Sequence, residues 1–229
     1  IEDIRSTSTS ISIQVNFMPL FLIFIVFSPI IICFILFIIE GRINDYIPTI
    51  SEIATSSPNT DIFSIFQTIS SIFLLILFTL YVSAADTWNA ISPRSVIVCR
   101  ALGYICPLCL LIFSCCSLED NYYVHNILKC NQYCNCVSFS FFAFFAITLL
   151  QMRNILVKSI LIMRSIFLFV IFISFVLILF FTLFNKVSNT LYAISEYIFI
   201  LFTGAFILSF AKDLSLIRLQ VVTLDSKSY

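Results

Sequence analysis

Three glycines, one histidine and one tryptophan are all that 229 residues contain of these types, and charged side chains make up only 10%. An ordinary globular domain carries about 25% charged residues, so this chain lacks the polar surface a water-exposed fold requires. Also missing is any run of like charge: 12 Lys and Arg balance 12 Asp and Glu, for a net charge of +0. That balance, without basic clusters, argues against nucleic-acid binding. Disorder is excluded as well, because it needs few aromatics and many charges. What is present is 61% hydrophobic residues, 27 phenylalanines and a mean hydropathy of +1.10. This is the composition of an integral membrane protein.

The sparse charges mark the span limits. One apolar core runs from about Phe17 to Ile39, and 24 uncharged residues separate Asp61 from Asp86. Further gaps of 18, 23 and 21 residues follow Arg100, Lys129 and Arg164, and Lys186 to Lys212 is broken only by Glu196. A helix needs about 20 residues to cross the hydrocarbon, whereas barrel strands show polar alternation over about ten. The expectation is an all-α polytopic membrane protein, a single domain of six transmembrane helices at about 17–39, 62–84, 96–116, 127–150, 165–185 and 190–211. The first stretch is too long for the 7–15-residue core of a signal peptide. Buried charge is expected to be limited to Glu196 and Arg100.

Lys and Arg set the expected orientation. Nine of them (Arg5, Arg94, Arg100, Arg153, Lys158, Arg164, Lys212, Arg218 and Lys227) fall in the N-terminus, even loops and C-terminus, against Arg42, Lys129 and Lys186 in the odd loops. The positive-inside rule then places both termini in the cytoplasm. The opposite face holds Glu40, Asp45, Glu52, Asp61, Glu119, Asp120 and Glu196. The longest polar connection, Glu40 to Asp61, contains Pro48 and Pro58 and reads as an ordered lumenal cap.

His125 is the single histidine, six residues after Glu119 and five after Asp120. Histidine exchanges protons near neutral pH, and either carboxylate is placed to orient it as a general base. The plainer alternative is an interfacial histidine capping the fourth helix. Glu196 sits inside the sixth span, where a carboxylate near the bilayer centre costs about 2.5 kcal/mol or more. It reads as the polar wall of a pocket. Spacing of four puts Asn131 and Asn135 on one helical face, directing amides inward. The cysteines, including Cys106 and Cys109 within the third span, read as packing residues. Cys115 or Cys116 is a candidate partner for Cys130 or Cys134 across the lumenal loop. No metal site and no cofactor is expected, since one histidine and no paired thiols of finger spacing are available. Neither a nucleophile elbow, a phosphate-binding glycine loop nor a zinc helix is present.

Three stretches resemble the superfamily that includes the damage-regulated autophagy modulators and the GPI-anchor lipid-remodelling proteins. Asp45 to Glu52, with Pro48-Thr49-Ile50-Ser51 at its centre, resembles the family's first lumenal loop. Glu119-Asp120 followed by Val124-His125 is similar to the third-loop segment of the remodelling branch. Glu196-Tyr197 with Lys212-Asp213 resembles the final helix.

The resemblance implies a Golgi or endoplasmic reticulum protein that exchanges fatty chains on GPI anchors, with the lipid bilayer and GPI lipid or GPI-anchored proteins as partners. Further membrane-protein partners are open. For acyl transfer, His125 is the candidate base and Glu119 or Asp120 its orienting group. Glu196, Arg42, Ser51, Glu52, Asn131 and Tyr197 are candidate substrate contacts, Arg42 because its guanidinium suits phosphodiester oxygens. The alternative is a non-enzymatic scaffold or lipid-organising protein of lysosomal or plasma membrane. A transporter is disfavoured, since no pair of broken helices is visible.

Overall fold

The computed structural model describes residues 10–42, 46–54, 57–88, 90–115, 130–154, 156–183, 189–215 and 218–222. Along the chain run β1 (Ser10–Gln14), α1 (Met18–Ile39), α2 (Ile50–Ile53), α3 (Asn59–Thr87) and α4 (Pro93–Cys115). They are followed by α5 (Cys130–Met152), α6 (Lys158–Leu183), α7 (Asn189–Leu208), α8 (Phe210–Leu214) and β2 (Arg218–Val222). Among the described residues, five helical segments are long and apolar enough to cross a membrane: Met18–Ile39, Asn59–Thr87, Pro93–Ile112, Lys158–Phe181 and Asn189–Leu214. The described apolar part of α5 is Ser138–Met152. The helical membrane architecture is therefore as expected, with one addition to the all-α reading. β1 pairs antiparallel with β2, in the register Ser10↔Val222 to Gln14↔Arg218. Since β1 leads into α1 and β2 follows α8, this ribbon holds the two outer ends of the helical region at one end of the bundle.

The long helices pack on their sequence neighbours in turn, α1 on α3, then α4, α5, α6 and α7, and α7 returns against α1 to close the ring. Such neighbour-to-neighbour packing is what short connections favour. The shared core is aromatic. Phe78 stacks on Phe144 at 4.3 Å, Phe145 on Phe206 at 4.2 Å, and Tyr81 on Phe210 at 3.9 Å between ring centroids. Close approach occurs at Gly204, where an added Cβ would sit 3.0 Å from Cε2 of Phe27. Small residues let helix backbones meet in this way within membranes.

Several polar side chains inside the spans satisfy themselves locally. The hydroxyls of Ser70, Ser71, Thr79 and Thr148 each donate to the carbonyl four residues earlier. This back-bonding lets Ser and Thr sit in apolar helices without an unmet donor. Outward, large apolar side chains such as Leu20, Phe24, Ile97, Leu150, Phe169 and Leu201 are exposed, forming the surface that meets lipid.

Candidate functional site

At the end of the bundle away from the β ribbon, α1 stops in a way its sequence prescribes. Gly41 takes φ +70°, its N–H donates to Ile38, and the Arg42 N–H reaches back to Phe37. This is the Schellman arrangement, in which a left-handed glycine closes the last turn. It leaves Arg42 exposed, its Nε 3.0 Å from Oε2 of Glu40.

After the turn the chain comes back as a short cap over the helix ends. Thr49, Ile50, Ser51 and Glu52 spell a capping box, and both halves of it form. The Glu52 N–H donates to Oγ1 of Thr49 at 3.1 Å, and the Thr49 N–H donates to Oε2 of Glu52 at 2.7 Å. The other oxygen of Glu52 faces the Tyr46 hydroxyl at 3.4 Å, and Ser51 Oγ lies 3.1 Å from Thr49 Oγ1. The single turn α2 that results buries Ile50 and Ile53 against Ile30, Cys33 and Phe37 of α1. Asn59, fully buried at the start of α3, fastens the far side. Its Nδ2 donates to the carbonyls of Ile53 at 2.9 Å and Cys33 at 3.3 Å.

The cap is also bonded to α7. Oε2 of Glu196 accepts the Ile50 N–H at 3.1 Å, and the Tyr197 hydroxyl donates to the Pro48 carbonyl at 3.1 Å. The Tyr192 hydroxyl is a further partner of Glu196, and Glu52 lies close enough to repel it electrostatically. Ser51, Glu52, Glu196 and Tyr197 are thus brought together in one seam, while Arg42 stands outside it, paired with Glu40. Asn131 lies in the first turn of α5, and its side chain is outside the described residues. His125, Glu119 and Asp120 also lie outside them, as do the side chains of Cys115, Cys116, Cys130 and Cys134 on which the proposed cysteine pairing rests. Among the described residues, no group of three His, Cys, Asp or Glu could hold a metal ion. Cys106 and Cys109 stay thiols, and Cys106 is buried.

The expectation for buried charge needs correction. Arg100 is exposed and pairs with Asp86 at 3.3 Å. The deeply buried ions are instead Arg164 of α6 and Asp213 of α8, with Nη2 2.7 Å from Oδ2 and side-chain exposures of 2% and 9%. Around them, Arg164 donates from Nε to Oγ of Ser209 at 2.8 Å, from Nη2 to the Ser209 carbonyl at 2.8 Å, and from Nη1 to the Tyr81 hydroxyl at 3.3 Å. Tyr81 in turn donates to Asp213 at 3.1 Å, with Sδ of Met152 at 3.0 Å. The guanidinium also lies 5.3 Å from the centroid of the Phe210 ring.

Reading charges as span limits put Arg164 at a helix edge, whereas α6 begins at Lys158 and carries it inside. The signal was its flanks, Ile160 to Met163 before it and Ile166 to Ile171 after it, which are apolar on both sides. The capping box at Thr49 and Glu52 was equally open to reading from its spacing.

Comparison with curated proteins and comparison with solved structures each gave no match. The profile of the Frag1/DRAM/Sfk1/Cwh43P N-terminal domain matches residues 14–217. That stretch takes in α1 to α8 with the cap, the Glu196 seam and the Arg164 cluster, and the chain belongs to the Frag1/DRAM/Sfk1/Cwh43P N-terminal domain family.

Proposed function

We propose that this protein serves the lipid remodelling of GPI anchors, the exchange of fatty chains on the anchor, at the lumenal leaflet of the Golgi or endoplasmic reticulum membrane. The observation that carries the reading is the joining of Pro48 and Ile50 to Tyr197 and Glu196. Two of the three stretches that resemble the superfamily, far apart in sequence, form one seam at the end of the bundle away from the β ribbon. In this reading the bundle has six spans and both termini are cytoplasmic. The clustering of Arg94, Arg100, Arg153, Lys158 and Lys212 toward the β-ribbon end supports that orientation.

Glu196 and Tyr197 then act as positioning residues that hold the loop, with Ser51 and Glu52 beside them facing the headgroup. Arg42, exposed at the rim, meets anchor phosphate, and Asn131 contributes an amide from α5. His125, oriented by Glu119 or Asp120, is the base that takes a proton from the attacking hydroxyl during acyl transfer.

The test is acyl-chain analysis of GPI anchors from cells deficient in remodelling and supplied with this protein. Restored chain exchange with the natural protein, and its loss with His125→Ala, is the expected result. Full restoration by His125→Ala removes His125 from the mechanism, and unchanged chains with the natural protein overturn the reading.

A second reading, a non-enzymatic lipid-organising scaffold of lysosomal or plasma membrane, draws on a specific observation. The carboxylates of Glu52 and Glu196 already accept backbone N–H groups within the cap, which is a structural use. Unchanged anchor chains together with altered distribution of GPI-anchored proteins would favour it.

A further inference from the structure

α7 is bonded at both of its ends. Near its start, Glu196 and Tyr197 hold the cap through Ile50 and Pro48. Just past its end, Ser209 and Asp213 are held by Arg164, and Asp213 also by Tyr81. The two sets of bonds are 13 residues apart, about 20 Å at 1.5 Å per helical residue. Between them the helix runs against α1 at Gly204, with Phe27 pressed to the spot a Cβ would occupy.

The cap is seated mainly on other elements. Ile50 and Ile53 pack with Ile30, Cys33 and Phe37 of α1, and Asn59 of α3 ties Ile53 to Cys33. A movement of α7 against α1 would therefore leave the cap with α1 and strain the bonds from Glu196 and Tyr197 together with the packing of Tyr197 and Ile200 on its apolar cluster. The Arg164 cluster resists that movement. It sits where the helix is interrupted between α7 and α8, and it binds the Ser209 carbonyl and hydroxyl together with the Asp213 carboxylate. Three hydrogen bonds, one of them the ion pair itself, connect α6 to the α7–α8 joint, and a fourth ties Arg164 to Tyr81 of α3. Polar bonds enclosed by apolar helices are strong for want of competing water. An ionised pair inside a membrane span is costly enough to imply a use.

We propose that the Arg164–Asp213 pair is a latch that sets the position of α7 against α1, and that through α7 it controls how firmly the cap at residues 46–54 is seated at the opposite end. The latch and the cap form one coupled device whose ends report on each other. Displacing Asp213 from Arg164, or breaking the Tyr81 bridge, frees the α7–α8 joint and loosens the cap. Release of the cap loosens the joint in return, because energetic coupling between two sites is reciprocal.

Hydrogen exchange read by mass spectrometry on the full chain in lipid nanodiscs tests this. Asp213→Asn removes the charge with little change of shape. It should speed exchange both in residues 205–215 and in residues 46–54, by roughly fivefold or more, the lower range of measured couplings. Glu196→Gln should speed exchange in 205–215 in return. Residues 96–106 of α4 should stay at the natural rate, as should all segments in the Arg100→Gln control. Acceleration confined to 205–215, with the cap unchanged, overturns the proposal, and so does acceleration that includes α4. Should Asp213→Asn fail to fold, Tyr81→Phe, which deletes one hydroxyl, is judged by the same two outcomes.

Discussion

The amide of Ile50 donates to the carboxylate of Glu196 across 3.1 Å, joining positions 146 residues apart. Ile50 is the first residue of a helical turn, so its N–H has no partner within the turn. A carboxylate from another helix supplies one, and a hydrogen bond to a charged acceptor is worth about 1.5–3 kcal/mol. The bond ties the cap, seated mainly on α1 and α3, to α7 as well.

Ile50→Pro isolates that bond. Proline is accepted at the first helical position, and Thr49 already has the extended backbone, ψ 162°, that a following proline demands. Ile50→Ala removes the same buried side chain but keeps the N–H. The proline variant should lose about 1.5–3 kcal/mol more of cap docking than the alanine variant. Cleavage rates at residues 46–57 under limited proteolysis would show it, and equal rates for the two variants would mean the bond contributes nothing.

Thr49→Ala opens the capping box by deleting the acceptor of the Glu52 N–H. A lost N-cap costs about 1 kcal/mol. Thr49→Ser keeps the oxygen and should restore most of that loss. Thermal denaturation followed by cap proteolysis is the measurement, and a serine variant no better than alanine would contradict the capping role.

Arg164→Met leaves Asp213 buried without its cation, and Asp213→Leu leaves Arg164 without its anion. Breaking a buried pair from one side costs about 3–5 kcal/mol. The double variant, with no stranded charge, should be more stable than either single one. Melting temperatures in detergent of the three variants decide this; a double variant as unstable as the sum of the singles would refute it.

Gly204→Leu forces a branched side chain into the space that Phe27 fills. Overpacking of this kind costs about 1–3 kcal/mol. Gly204→Leu combined with Phe27→Ala should recover part of the loss, since the ring is what the new side chain meets. No recovery in the melting temperature would place the strain elsewhere.

Much of the architecture was legible before any coordinates. Uncharged gaps long enough to cross a bilayer identified a helical membrane protein, because unpaired charge is expelled from hydrocarbon. The same reasoning misplaced the buried charge. A count of charges treats each one alone, and Arg164 becomes tolerable inside α6 only because Asp213, 49 positions on, neutralises it. Arg100, which looked as deep, finds Asp86 at an exposed position. Of the candidate site, Ser51, Glu52, Glu196 and Tyr197 do meet, while Arg42 turns to Glu40.

Composition and charge spacing by themselves determined the solvent this chain lives in and the helical form it takes there. Residue order also determined the local stops, the glycine closing α1 and the threonine opening α2, since those depend on neighbours within a few positions. Tertiary structure alone decided which helix faces turn inward. A lipid tail is as apolar as a leucine core, so hydropathy does not separate the two. The partners of Glu196 and Arg164 lie in distant segments whose approach is set by how the whole ring of helices closes.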